Sequence, residues 1–108
     1  MTFQLGGQLL DACVLAVLLK EDTYGYILTQ SVKTVIDISE STLYPVLRRL
    51  QKDGYLVTYD RPFQGRNRRY YSITSSGRAI IQSYIQDWKG FKNNVDQLLG
   101  GGKADEQE

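Results

Sequence analysis

The chain has no histidine and one cysteine among its 108 residues. Without histidine there can be no Ser-His-Asp or Cys-His nucleophilic site, and the commonest metal ligand is missing. The carboxylates are scattered rather than spaced as metal ligands, and no Walker-type or dinucleotide-type glycine loop occurs. These absences argue against an enzyme and imply no cofactor and no metal. A lone cysteine cannot close an internal disulfide. Cys13 lies in the apolar run Ala12–Leu19, where a small hydrophobe fits; it reads as a buried structural thiol, with a redox sensor as the alternative. No stretch is long and apolar enough to span a membrane. The N-terminus lacks the basic segment, apolar run and small-residue cleavage site of a signal peptide. The expected location is the cytoplasm.

Net charge is only +1, but it is unevenly distributed. Between residues 48 and 69 lie Arg48, Arg49, Lys52, Arg61, Arg66, Arg68 and Arg69 against two acids, Asp53 and Asp60, so the rest of the chain is net acidic. A basic segment on a near-neutral protein is the electrostatic footprint of a polyanion site.

Hydrophobic spacing predicts four helices and two strands. A first helix over Leu5–Lys20 is apolar on two sides, one for its own domain and one for a second subunit. Thr23 is placed to cap a second helix from Tyr24 to about Thr34. A third, Glu40–Lys52, buries Leu43, Val46, Leu47 and Leu50 and turns Ser41, Pro45, Arg48 and Lys52 outward, with Thr42, Tyr44 and Arg49 on the flanks. Pro45 is awkward there, because it removes a backbone donor. Asp53-Gly54 ends this helix, Gly54 in the left-handed region. Strands over Tyr55–Asp60 and Arg69–Thr74 enclose residues 61–68, read as a polar loop too long for a tight hairpin. The last helix runs from Ser75 or Ser76 to about Leu99, roughly 36 Å at the α-helical rise. Ile81, Tyr84, Trp88, Phe91, Val95 and Leu98 recur along it in alternating steps of three and four, a heptad seam that asks for another long helix, most simply a second copy. Gly100 to Gly102 stop it, and a disordered acidic tail is expected after them.

This order predicts a mainly α fold with a small β-wing: a winged helix-turn-helix over residues 5–74, a dimerisation helix over 75–99 and a tail over 100–108. In such a fold the third helix enters the major groove. The hydroxyls of Ser41, Thr42 and Tyr44 and the guanidinium groups of Arg48 and Arg49 suit base edges or phosphates. Arg66, Arg68 and Arg69 in the wing suit phosphates or the minor groove, or are an ordinary solvated loop.

The segments Tyr24-Gly25-Tyr26, Ser41-Thr42-Leu43-Tyr44-Pro45-Val46-Leu47-Arg48-Arg49-Leu50 and Asp53-Gly54, followed by Arg69-Tyr70-Tyr71-Ser72-Ile73-Thr74 and Gly77, resemble the PadR family of bacterial transcriptional regulators. The resemblance spans about residues 8–99 and corresponds to the family's short branch, with a single C-terminal helix. It implies a homodimer formed through the first and last helices, and repression from pseudo-palindromic operators in double-stranded DNA. Tyr24, Ser41, Thr42, Tyr44 and Arg48 would then stand at the DNA surface and Arg66 and Arg68 in the wing. Residue 41, often glycine in the family, is serine here. Some short-branch members bind planar aromatic compounds between subunits. By that analogy Trp88, with Val14 on the first helix, could hold a flat effector; alternatively Trp88 simply packs the interface. The competing function is a winged-helix module that binds another protein rather than DNA.

Overall fold

The computed structural model describes residues 7–100. Leu5 and the tail from residue 101 lie outside the described residues. The order is α1 (Gly7–Lys20), β1 (Thr23–Tyr24), α2 (Gly25–Lys33), α3 (Glu40–Lys52), β2 (Leu56–Phe63), β3 (Arg66–Ile73) and α4 (Ser75–Leu98). The three strands form one antiparallel sheet in the order β1-β3-β2.

One apolar core joins all four helices to the root of the sheet. Val14, Leu15 and Leu18 of α1 meet Leu28 and Val32 of α2, Leu43, Leu47 and Leu50 of α3, Leu56, Ile73 and Ile81. Each is buried, and each such side chain stabilises the fold by about 1.5–3 kcal/mol before the entropy of ordering is subtracted.

The third helix has the predicted bounds, and both of its ends are chemically determined. Ser39 is the N-cap, its Oγ accepting from the Thr42 N–H at 3.2 Å. At the other end Gly54 has φ +84°, Tyr55 N–H donates to the Leu50 carbonyl at 2.9 Å, and Gly54 N–H donates to Gln51 at 3.0 Å. That pair of bonds is a Schellman cap. Pro45 lies inside the helix on the exposed side, where water can satisfy the carbonyl that its missing N–H leaves free.

Three expectations need correction. Thr23 does not cap α2; it is buried in β1 opposite Tyr71, and Tyr24 takes the cap position without a side-chain bond. Residues 61–68 are not a long loop, because β2 and β3 pair out to Phe63–Arg66. Only Gln64 and Gly65 turn, at φ 50° and 82°, the two positive values of a type I′ hairpin. Finally, Ile81 is fully buried in its own core and is not available to a partner subunit.

The start of α4 is locked to the root of the wing. Thr74 Oγ1 accepts from Gly77 N–H at 3.0 Å and donates to the Gly54 carbonyl at 2.6 Å, while Thr74 N–H donates to Tyr55 at 3.1 Å. These bonds tie the end of α3, the start of β2 and the start of α4 into one corner.

Candidate nucleic-acid interface

The inward leucines of α3 fix which face it shows to solvent. Ser41, Thr42, Tyr44 and Arg48 are all exposed. At the N-terminal end, Ser39 Oγ lies 3.1 Å from Ser41 Oγ and 3.0 Å from Thr42 Oγ1, a cluster of hydroxyls that can both donate and accept. No ion pair engages Arg48 or Arg66 among the described residues, so each guanidinium can meet an incoming anion without first losing a partner.

Arg49 is placed differently from its neighbour. One residue further round the helix, it turns toward α1 and grips Asp11 with both arms: Nη1 to Oδ2 at 3.0 Å and Nη2 to Oδ1 at 2.6 Å. Hydrogen bonding to Asp11 raises the already high pKa of the guanidinium further. Arg49, expected among the DNA contacts, carries this internal bond while 46% of its side chain remains exposed. Asp11, 38 residues away and buried, was not singled out by sequence reasoning, and no local pattern would have paired the two.

The wing is a ladder of rings and guanidinium groups. Alternation on paired strands puts Tyr59, Arg61 and Phe63 of β2 on one face with Arg66, Arg68 and Tyr70 of β3. Tyr59 and Tyr70 stack with centroids 5.5 Å apart, and Arg61 lies 5.0 Å from the Tyr70 centroid. Arg68 sits between two rings, 3.8 Å from Tyr24 and 3.4 Å from Phe63. The two rings hold the guanidinium by cation–π contact, and its N–H donors suit a phosphate. Tyr24, expected at the DNA surface, thus props Arg68; Phe63 on the wing was missed. Tyr59 donates to Asp22 at 2.7 Å, a bond that raises the Tyr59 pKa and ties the wing to the loop after α1. Arg69 is on the opposite face, 3.6 Å from Asp60.

Along the predicted seam, Tyr84, Phe91 and Val95 are half-buried, while Leu98 is almost fully exposed. Trp88 is in contact with Phe91, centroids 6.1 Å apart. Beside them lies a groove of about 380 Å³, walled by Leu9, Ala12 and Cys13 of α1 and by Tyr84, Ile85 and Trp88 of α4. Val14 does not line it, being fully buried one position round the helix. Burial raises the Cys13 thiol pKa. Among the described residues no group of His, Cys, Asp or Glu could hold a metal ion, and no helix is long and apolar enough to cross a membrane.

Three comparisons agree on the relatives of this chain. Residues 14–83 match the transcriptional regulator PadR-like family. A protein of solved crystal structure from Streptococcus mutans UA159 superposes with a TM-score of 0.83 at 39% identity, over 94% of this chain and 95% of that one. A PadR-like transcriptional regulator of Bacillus cereus superposes with a TM-score of 0.77 at 30% identity, over 84% and 91% of the two chains. A transcriptional regulator of Mycobacterium tuberculosis is 41% identical over 64 residues, 59% of this chain and 57% of that protein.

Proposed function

This chain belongs to the PadR-like family of transcriptional regulators, which bind DNA, and on that premise we propose that it is a homodimeric, sequence-specific repressor acting in the bacterial cytoplasm. The observation that carries the reading is the pairing of two surfaces. A helix pinned by Leu43, Leu47 and Leu50 presents Ser41, Thr42, Tyr44 and Arg48, and a hairpin presents Arg66 and the ring-held guanidinium of Arg68. The first suits base edges in the major groove and the second suits the phosphate backbone.

The apolar surface of α4 supports the two-copy reading. A helix ending in Phe91, Val95 and Leu98, with Leu98 86% exposed, leaves apolar surface that a second copy would cover. Two-fold symmetry then pairs the recognition helices with operator half-sites about one helical turn apart, roughly 34–36 Å. The apolar groove between α1 and α4 suits a flat aromatic effector against Trp88. Filling it would change the spacing of the two α3 helices, so that only one state fits the operator. Trp88 fluorescence and operator affinity report this directly, and a panel of aromatic compounds that moves neither removes the effector from the account.

The test is fluorescence anisotropy of labelled duplex from immediately upstream of the protein's own gene, with a scrambled duplex of equal length, at two salt concentrations. Tight binding to the upstream duplex alone supports the repressor reading. Equal, weak, salt-sensitive binding to both indicates phosphate contact without specificity for that duplex. No binding to either at low salt favours a winged-helix module that binds another protein.

A further inference from the structure

We propose that Asp11 is a positioning residue for DNA recognition: from α1 it fixes, through Arg49, the rotation of α3 about its own axis. The proposal rests on the DNA-binding reading. Asp11 lies on the stripe of α1 that continues as Val14, Leu15 and Leu18, all in the core. Its side chain is 7% exposed, so the carboxylate is held where an apolar residue would cost less to bury. What the carboxylate adds is direction. Contacts among Leu43, Leu47 and Leu50 are non-directional and tolerate a helix that slides or rolls. A two-pronged guanidinium–carboxylate bond, at 3.0 and 2.6 Å, tolerates neither. Arg48 is the next residue on α3, so the roll that seats Arg49 on Asp11 also sets where Arg48 and the hydroxyls of Ser41, Thr42 and Tyr44 point.

The same carboxylate reaches a third helix. Tyr84 of α4 has its hydroxyl pKa raised, first by burial and then by the charge of Asp11. Tyr84 also walls the apolar groove.

The competing role is that Arg49, whose side chain is 46% exposed, contacts a DNA phosphate itself. Selection from a random duplex pool by the wild-type protein supplies a cognate duplex. Anisotropy with that duplex, over a series of salt concentrations, then compares Asp11→Asn, Arg49→Met and Arg49→Lys. If Asp11 positions α3, each variant weakens cognate binding by about tenfold, the fold-change for losing a charged hydrogen bond. The slope of log affinity against log salt stays that of the wild type, and the double variant Asp11→Asn/Arg49→Met is no weaker than either single one. If Arg49 is a phosphate ligand, Arg49→Met flattens the slope by about 1, Arg49→Lys restores it, and Asp11→Asn binds as well as wild type; that pattern overturns the proposal. Should Asp11→Asn fail to fold by circular dichroism, the comparison of Arg49→Lys with Arg49→Met still decides. A wild-type protein that selects no duplex removes the DNA reading and this proposal with it, and does so before any variant is made.

Discussion

Gly77→Ala sets two effects against each other, and the structure decides between them. Gly77 is the third residue of α4, where alanine favours helix by up to about 1 kcal/mol. Its φ is ordinary, so backbone strain is not the issue. Space is. A Cβ there falls 2.1 Å from the Tyr55 carbonyl oxygen, 3.1 Å from the carbonyl carbon and 2.7 Å from Ile73 Cγ1. The oxygen is backbone and cannot swing aside alone, because it accepts from Thr74 N–H at 3.1 Å. Moving it weakens that bond, about 1 kcal/mol. It also disturbs the Thr74 cap, about 1 kcal/mol, and crowds Ile73, about 1–3 kcal/mol. The clash wins by about 3 kcal/mol, which for a domain of this size lowers Tm on the order of 15 °C. Thermal unfolding followed by circular dichroism measures it. An unchanged or higher Tm would refute the claim that the α4–wing corner is packed to contact.

Three further outcomes follow from particular groups. Arg68→Ala should weaken cognate and scrambled duplexes alike and flatten the salt slope by about 1, whereas Arg68→Lys should restore the slope but not the full affinity, since an ammonium cannot match the guanidinium's contacts with Tyr24 and Phe63. Gln64→Asn should raise Tm by roughly 2–4 °C, because asparagine suits the positive φ of a type I′ turn better than glutamine. For Cys13, burial places the folded thiol pKa above the unfolded one. Its contribution to stability is therefore full below the unfolded value and lost as pH rises through the folded value. Comparing the Tm of wild type and Cys13→Ala from pH 7 to 10 checks this, with the difference expected to move against the wild type only in the alkaline part.

The elements with strong local determinants were legible in the sequence. The third helix is one, because the leucine spacing and Gly54 each mark it independently. The long last helix and its polar start are another. The wing was misread because its outer half contributes no side chain to the apolar core. Arg61, Pro62 and Phe63 opposite Arg66, Asn67 and Arg68 show no apolar alternation, and their pairing rests on backbone bonds and ring–guanidinium stacking across the strands. Two-residue β1 is too short to have a period at all. The site was half legible for a related reason. Spacing puts Arg48 and Arg49 on the polar side of a helix, but it cannot say that a carboxylate 38 residues earlier claims one of them. Nor can a heptad seam say which of its residues its own core has already taken, as with Ile81.

If α3 reads base sequence while the wing holds the backbone, the decisive variant is Arg48→Ala, measured by its affinity for a selected cognate duplex and for a scrambled one at the same salt. A loss of about 1–3 kcal/mol on the cognate duplex is expected, with little change on the scrambled one, so that specificity collapses. An equal loss on both, or no loss on either, would contradict that expectation and leave α3 without a reading role.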